Sequence, residues 1–338
     1  MKGIVIAGGF GTRLHPLTYN RPKHLLPVGN RPFLEYQVAL MRRHGIDEVV
    51  FATNFGADQI EAHFGDGSAF GVHMRYAIED EPLGTAGAIR NAASLVPDEP
   101  VIVFNGDILT DFDLAGMMAF HRAKRALATI ALRPVARPHG FGALVLDDDN
   151  RVQSWHEPSE AEKKAVAAGQ GTADGRTDFI NAGIYLLQPE VVRSIPTGRA
   201  VSVERETFPA LIAETRGIFG TAPSGFWLDI GRPDQYRAAN AAVLGGLVDT
   251  DVPACAVAED ASVDPAAGID VGSSIGSRSI IGADAVVSGS IILQDVTVGA
   301  RVRITNSIID AGCRIADDVV LNNGVVASGT VLERGSRL

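Results

Sequence analysis

The chain has 338 residues, enough for two hydrophobic cores, and its 46% hydrophobic and 21% charged residues are the balance of an ordinary soluble globular protein. A formal net charge of −10 argues against a nucleic-acid surface, which needs a basic face, and no apolar run approaches the roughly 18 residues of a membrane helix. Cys255 and Cys313 are too few for a disulfide framework and have no His or Cys neighbours at metal-ligand spacing, so both are expected as packing residues. The start, Lys2-Gly3-Ile4-Val5, has the character of a strand rather than a secretory leader, so a cytoplasmic protein without a membrane partner is expected.

The first element, Lys2 to Ala7, reads as a buried strand that runs into Gly8-Gly9-Phe10-Gly11-Thr12-Arg13-Leu14. A glycine-rich turn leaving a strand presents backbone N–H groups to phosphate. Arg21-Pro22-Lys23-His24-Leu25-Leu26-Pro27 follows. The first 34 residues hold five Lys or Arg (Lys2, Arg13, Arg21, Lys23, Arg31) and no Asp or Glu, a local cationic pocket that suits a small polyanion. Two commoner phosphate loops do not fit. A dinucleotide fingerprint starting at Gly9 needs Gly or Ala where Leu14 stands, and the Gly-Lys-Ser/Thr of a Walker A loop is absent.

Further strand candidates are Glu48 to Thr53, His73 to Ile78, Val101 to Phe104 and Leu127 to Leu132. Helical stretches between them include Phe33 to His44 and Thr85 to Leu95. This alternation, from residue 1 to about 245, predicts a doubly wound α/β sheet. Ligands of such sheets bind beyond the carboxyl ends of the strands, where the glycine loop and Asn105-Gly106-Asp107 both fall. The polar, Gly-rich stretch from Glu157 to Thr177 reads as a solvated loop or a short exposed helix.

From Asp251 to Leu338 there is no His and no aromatic residue. Small aliphatic residues step by 17 in three registers: Ile281, Val298, Ile315, Leu332; Val287, Ile304, Leu321, Leu338; and Ile292, Ile309, Val326. Such a hexapeptide-like pattern is what a parallel β-helix needs, each rung burying three inward corners against its neighbours.

The GGxGTRLxPLT and RPKxLLP elements together resemble the signature of the sugar-1-phosphate nucleotidyltransferases, in which hexapeptide-repeat domains commonly follow the catalytic domain. The resemblance covers nearly the whole chain. It implies a Rossmann-like catalytic domain with a mixed sheet over residues 1–245 and a left-handed parallel β-helix over 251–338. The implied reaction is attack by the phosphate of a sugar 1-phosphate on the α-phosphorus of a nucleoside triphosphate, releasing pyrophosphate. With a second pKa of about 6 the attacking phosphate needs no strong base, so catalysis rests on positioning and charge neutralisation.

By the same resemblance Arg13 grips the pyrophosphate leaving group, a contact that suits a planar guanidinium, and Lys23 sits between the approaching phosphates. Asp107 and Asp229, the latter in Trp227-Leu228-Asp229-Ile230-Gly231, are implied as ligands of Mg²⁺. Ala7, Gly8, Gly9, Gly11, Thr12, Gly84, Thr85 and Gly106 are implied to meet the nucleotide. Leu83-Gly84-Thr85-Ala86-Gly87, with Asp111-Phe112, resembles guanylyltransferases acting on mannose 1-phosphate; dTTP, UTP or ATP as donor and heptose, glucose or cyclitol phosphates as acceptor stay open. For the sugar, the resemblance points to Gly142, Glu157, Asn181 and Glu204.

One departure stands out. Where the family usually has Glu-Lys-Pro, this chain has Glu157-Pro158-Ser159, so a lysine expected on the sugar phosphate is missing, and Lys163, Lys164 or Arg176 is the candidate replacement. A non-catalytic sugar-nucleotide-binding relative is the competing reading. An acyl-transferring β-helix is a further one, but that chemistry usually relies on a histidine base, and all eight histidines lie at or before His156. The β-helix is therefore expected to serve assembly or regulation, within a homo-oligomer.

Overall fold

The computed structural model describes residues 1–96, 98–137, 139–170, 176–215 and 217–338. The chain forms two compact units. One comprises Met1–Gly9, Leu40–Ile108 and Phe112–Trp227; the other comprises Phe10–Ala39, Leu109–Asp111 and Leu228–Leu338.

The first unit is built on a nine-stranded sheet of Lys2–Ile6 (β1), Glu48–Thr53 (β2), His73–Ile78 (β3), Val101–Asn105 (β4), Ala128–Ala136 (β5), Ala143–Leu146 (β6), Val152–His156 (β7), Thr177–Leu187 (β8) and Ile218–Thr221 (β9). The order is β7-β6-β8-β4-β1-β2-β3, with β5 also on β8 and β9 on β5. Strands β4, β1, β2 and β3 are parallel, whereas β8 runs antiparallel to both β4 and β5, so the sheet is mixed. Ile4, Val5, Val50, Phe51, Val103 and Phe104 are fully buried, the continuous apolar run of strands covered on both faces. β5 continues beyond the predicted Leu132 because Arg133 to Ala136 find partners in Thr177 to Ile180.

Part of the polar stretch after Glu157 is a helix, Glu160–Ala167. It is started by a reciprocal cap in which Ser159 accepts from the Glu162 backbone N–H and the Glu162 carboxylate accepts from the Ser159 N–H. Residues 171–175 of that stretch lie outside the described residues.

In the second unit the 17-residue step is physical. Ile281 pairs in parallel with Val298, which pairs with Ile315, which pairs with Leu332. Val287, Ile304 and Leu321 align in a second sheet, and Ile292, Ile309 and Val326 in a third. The corners recur with the same step and turn through left-handed φ, as at Asp284, Arg301, Asp318 and Gly335. Ser273, Ser290 and Ser307 form a buried ladder, each hydroxyl accepting a backbone N–H of the next coil at 3.0 Å. This satisfies donors that a β-helix corner would otherwise bury unpaired. Leu338, expected as an inward corner, is 63% exposed, since among the described residues no further coil stacks on it. Cys313 is buried among these coils and Cys255 is half-buried, both as free thiols.

Candidate active site

The predicted nucleotide-binding residues of the first unit lie at the carboxyl ends of adjacent strands. Ile6 is opposite Asn105 in the β1–β4 register, and the Gly106 N–H donates to Ile6 O at 2.9 Å. Ala7-Gly8 and Gly106-Asp107 therefore leave the sheet side by side. The Ala7 N–H donates to Ala52 O, and the Gly8 backbone faces Asn54, which follows β2. Asn54 donates from Nδ2 to Glu79 O at 2.7 Å, and the Glu79 carboxylate accepts from Leu83 N–H at 3.0 Å, fixing the entry to the helix Gly84–Ala93. Burial pushes the Glu79 carboxyl above its usual range, and the Leu83 bond opposes that.

At Gly84 φ is +71°, and a Cβ there would stand 2.5 Å from Val201 O, so only glycine fits. The Thr85 hydroxyl donates to Glu204 Oε2 at 2.7 Å and accepts from Val203 N–H at 2.8 Å. Its side chain is engaged in tying the helix to Val203–Thr207. Asn54 and Glu79 carry no motif in the sequence; only the Asn after a strand and the acid before Leu83-Gly84 hint at them.

The predicted sugar residues converge. A bulge in β8 between Asn181 and Tyr185 breaks its register. Asn181 donates from Nδ2 to the Tyr185 hydroxyl at 2.8 Å and accepts from Gly183 N–H at 2.9 Å, while Trp227 donates to Ala182 O at 2.8 Å. The Asn181 N–H donates to Gly142 O at 3.1 Å, and a Cβ on Gly142 would lie 2.4 Å from Glu157 Oε2. The Tyr185 phenol is fully buried and pushed well above its usual range, first by burial and then by the nearby Glu204 and Glu157 carboxylates; hydrogen bonds with Asn181 and Asn105 oppose this. Asn181 thus bonds one buried phenol that also feels the Glu157 and Glu204 carboxylates, and Gly142 joins through Asn181 and Glu157. Lys163 Nζ stands 3.4 Å from Glu157 Oε1, whereas Lys164 is exposed and Arg176 carries the carbonyl that accepts from Arg137 N–H. Pro158 itself is buried.

In the second unit Gly11, at φ +63°, starts the single turn Thr12–Leu14, and its carbonyl accepts from the Thr18 hydroxyl at 2.9 Å. A Cβ on Gly11 would lie 3.0 Å from the Cβ of Lys23, so the Lys23 stem packs on the glycine turn. Arg13 and Asp229 both stand over Gly231: a Cβ there would meet Arg13 Nη2 at 2.7 Å and Asp229 Oδ1 at 3.2 Å. Three of the five basic residues that cluster in the sequence face carboxylates. Lys2 pairs with Glu48 and Glu99, Arg21 with Asp310, and Arg31 faces Glu35. A buried or half-buried cation takes a carboxylate when one is within reach.

Among the described residues no group of three or more His, Cys, Asp or Glu is arranged to hold a metal. Asp107 in the first unit and Asp229 in the second each carry hard oxygen donors of the kind a divalent cation takes, and the Arg13 guanidinium fills the space over Gly231 beside the Asp229 carboxylate.

Residues 2–245 match the family model described as Nucleotidyl transferase, and residues 252–335 match the one described as GMPPB C-terminal domain. The chain belongs to the nucleotidyl transferase family. It is 37% identical over 308 residues, 89% of this chain and 82% of the relative, to a protein of Mycobacterium tuberculosis named mannose-1-phosphate guanylyltransferase. It is 29% identical over 352 residues, 100% of this chain and 86% of the relative, to a Synechocystis protein named UTP–glucose-1-phosphate uridylyltransferase. Among solved structures it is similar to HddC from Yersinia pseudotuberculosis complexed with GMP-PN, with a TM-score of 0.58 and 27% identity, covering 71% of this chain and 98% of that one. As in other nucleotidyl transferases, the chemistry is transfer of a nucleotidyl group; among the described residues no helix is long and apolar enough to cross a membrane.

Proposed function

We propose that this nucleotidyl transferase moves a guanylyl group from GTP to mannose 1-phosphate, releasing pyrophosphate and forming GDP-mannose in the cytoplasm. The observation that carries the sugar half is the Tyr185 phenol, which holds the Asn181 amide and feels the Glu204 and Glu157 carboxylates, polar groups of the kind a hexose ring needs for its hydroxyls. The guanylyl half is supported by the Leu83 to Gly87 element and by the name of the Mycobacterium relative. The Synechocystis relative, matched over 100% of this chain, makes uridylyl transfer to glucose 1-phosphate the second reading.

In this reading the acceptor phosphate attacks as it stands, already largely dianionic near neutral pH. Lys23 screens the repulsion between acceptor and α-phosphate, and Arg13 holds the departing pyrophosphate through two oxygens. Glu157, Asn181 and Glu204 orient the sugar, with the backbone of Gly142 beside them. The backbone of Ala7, Gly8, Gly9, Gly11, Thr12, Gly84, Thr85 and Gly106 carries the nucleotide. Asp107 and Asp229 would hold Mg²⁺, which would supply charge to the phosphate oxygens. Residues 1–245 carry the transfer, and 251–338 support a homo-oligomer. Calorimetric titration of the Lys23→Ala protein with GTP and with UTP in the presence of Mg²⁺ tests the base: tighter GTP binding is expected, and tighter UTP binding overturns the guanylyl reading.

A further inference from the structure

The β-helix holds a carboxylate that its own repeat does not require. Asp310 follows the strand Ile308–Ile309, and its counterparts 17 residues away are Leu293 and Ala327. Its side chain is 4% exposed, and burial pushes its carboxyl above the usual range, opposed by a cation and by a backbone N–H. The cation is Arg21, whose Nη2 donates to Asp310 Oδ1 at 2.7 Å across 289 residues of sequence.

Resting on the phosphate role proposed for Lys23, we propose that Asp310 is a positioning residue that sets the Lys23 ammonium through Arg21. The link is short and stiff. Pro22, at φ −66°, is buried and begins the single turn Lys23–Leu25, so a displacement of Arg21 is carried to Lys23 with one restrained residue between them. Lys23 in turn packs its stem against Gly11. The exit of the same loop has other supports: the Tyr236 hydroxyl donates to Pro27 O at 2.6 Å, the Gly29 N–H donates to Asn240 Oδ1 at 2.9 Å, and Asn30 Nδ2 donates to Cys255 O and Ile275 O. The entry is held by the Arg21–Asp310 pair. The β-helix, expected to serve assembly or regulation, thereby reaches the chemistry through one ion pair.

The test uses the full-length enzyme with Arg21→Ala, Asp310→Ala, Asp310→Asn and the Arg21→Ala/Asp310→Ala double variant. Ile304→Val serves as a packing control in the β-helix core. Each single variant is expected to lower kcat by about tenfold with the KM for sugar phosphate within about twofold of the parent, and the double variant to be no slower than the worse single one. Asp310→Asn keeps the volume and carries the test where Asp310→Ala fails to fold. Ile304→Val is expected to lower the melting temperature and leave kcat unchanged. Parent-like kcat in Asp310→Asn, multiplying losses in the double variant, or an equal kcat loss in Ile304→Val would overturn the proposal. An inactive parent, or a fully active Lys23→Ala enzyme, would instead overturn the functional reading on which it rests.

Discussion

Asn181 donates from Nδ2 to the hydroxyl of Tyr185 at 2.8 Å, four residues along the same bulged strand. The bond orients an amide toward the crevice from a phenol that is itself fully buried, and the same phenol is bonded to Asn105, the residue that opens the Asn-Gly-Asp turn. The proposed sugar-side and nucleotide-side elements of the first unit thus share one buried hydroxyl. Tyr185→Phe removes it and leaves buried amide groups short of a partner, which should cost about 1–3 kcal/mol of stability. The KM for sugar phosphate should rise more than that for nucleotide. Thermal melting and steady-state kinetics check this, and unchanged values in both would refute the role given to Tyr185.

Lys23 is half-exposed, and its stem packs against Gly11. Lys23→Ala and Asp107→Asn should each lower kcat by about two orders of magnitude or more with melting curves near those of the parent. Near-normal rates in both variants would remove the proposed phosphate site.

Lys163, one of the three candidate replacements for the family lysine missing at position 158, reaches Glu157 from the helix Glu160–Ala167 and also pairs with Glu160. Lys163→Ala is expected to raise the KM for sugar phosphate severalfold and leave the nucleotide KM unchanged. Pro158→Lys should not restore a contact, because position 158 is buried and a lysine there must bury its charge or displace the strand end. A gain in catalytic efficiency from Pro158→Lys would contradict this.

His121 is buried, with Nδ1 on the Thr129 hydroxyl at 2.8 Å and Nε2 on Gln188 at 2.9 Å, and burial lowers its pKa to about 4 from 6.5. Above pH 6.5 both folded and unfolded chains hold the ring neutral. Below it the unfolded chain takes up a proton that the folded one does not, so stability falls with pH down to about 4, by at most about 3 kcal/mol. Melting temperatures of the parent should drop more steeply between pH 7 and 5 than those of His121→Gln. Parallel curves would show that His121 is not the group responsible.

Local chemistry and short periods were legible in the sequence. The step of 17 marks all three faces of the β-helix because each inward corner must be aliphatic, and the parallel strands β1 to β4 announce themselves as buried apolar runs. What needs distant partners was not. Arg21 reads as one of five cations near a phosphate loop, yet its partner lies 289 residues away at a position where the repeat elsewhere carries Leu or Ala. The bulge at Asn181 to Tyr185 is equally hidden, since it depends on β5, β6 and β4 meeting one strand. Gly142, Glu157 and Glu204 were reached through family resemblance, and their meeting around Tyr185 is a product of the fold.

Pyrophosphate release across GTP, dTTP, UTP, ATP and CTP against mannose, glucose and heptose 1-phosphates with Mg²⁺ measures the proposed guanylyl transfer to mannose 1-phosphate. The highest kcat/KM is expected for GTP with mannose 1-phosphate, with loss of that activity in Lys23→Ala. A preference for UTP with glucose 1-phosphate, or no pyrophosphate from any pair, would contradict it.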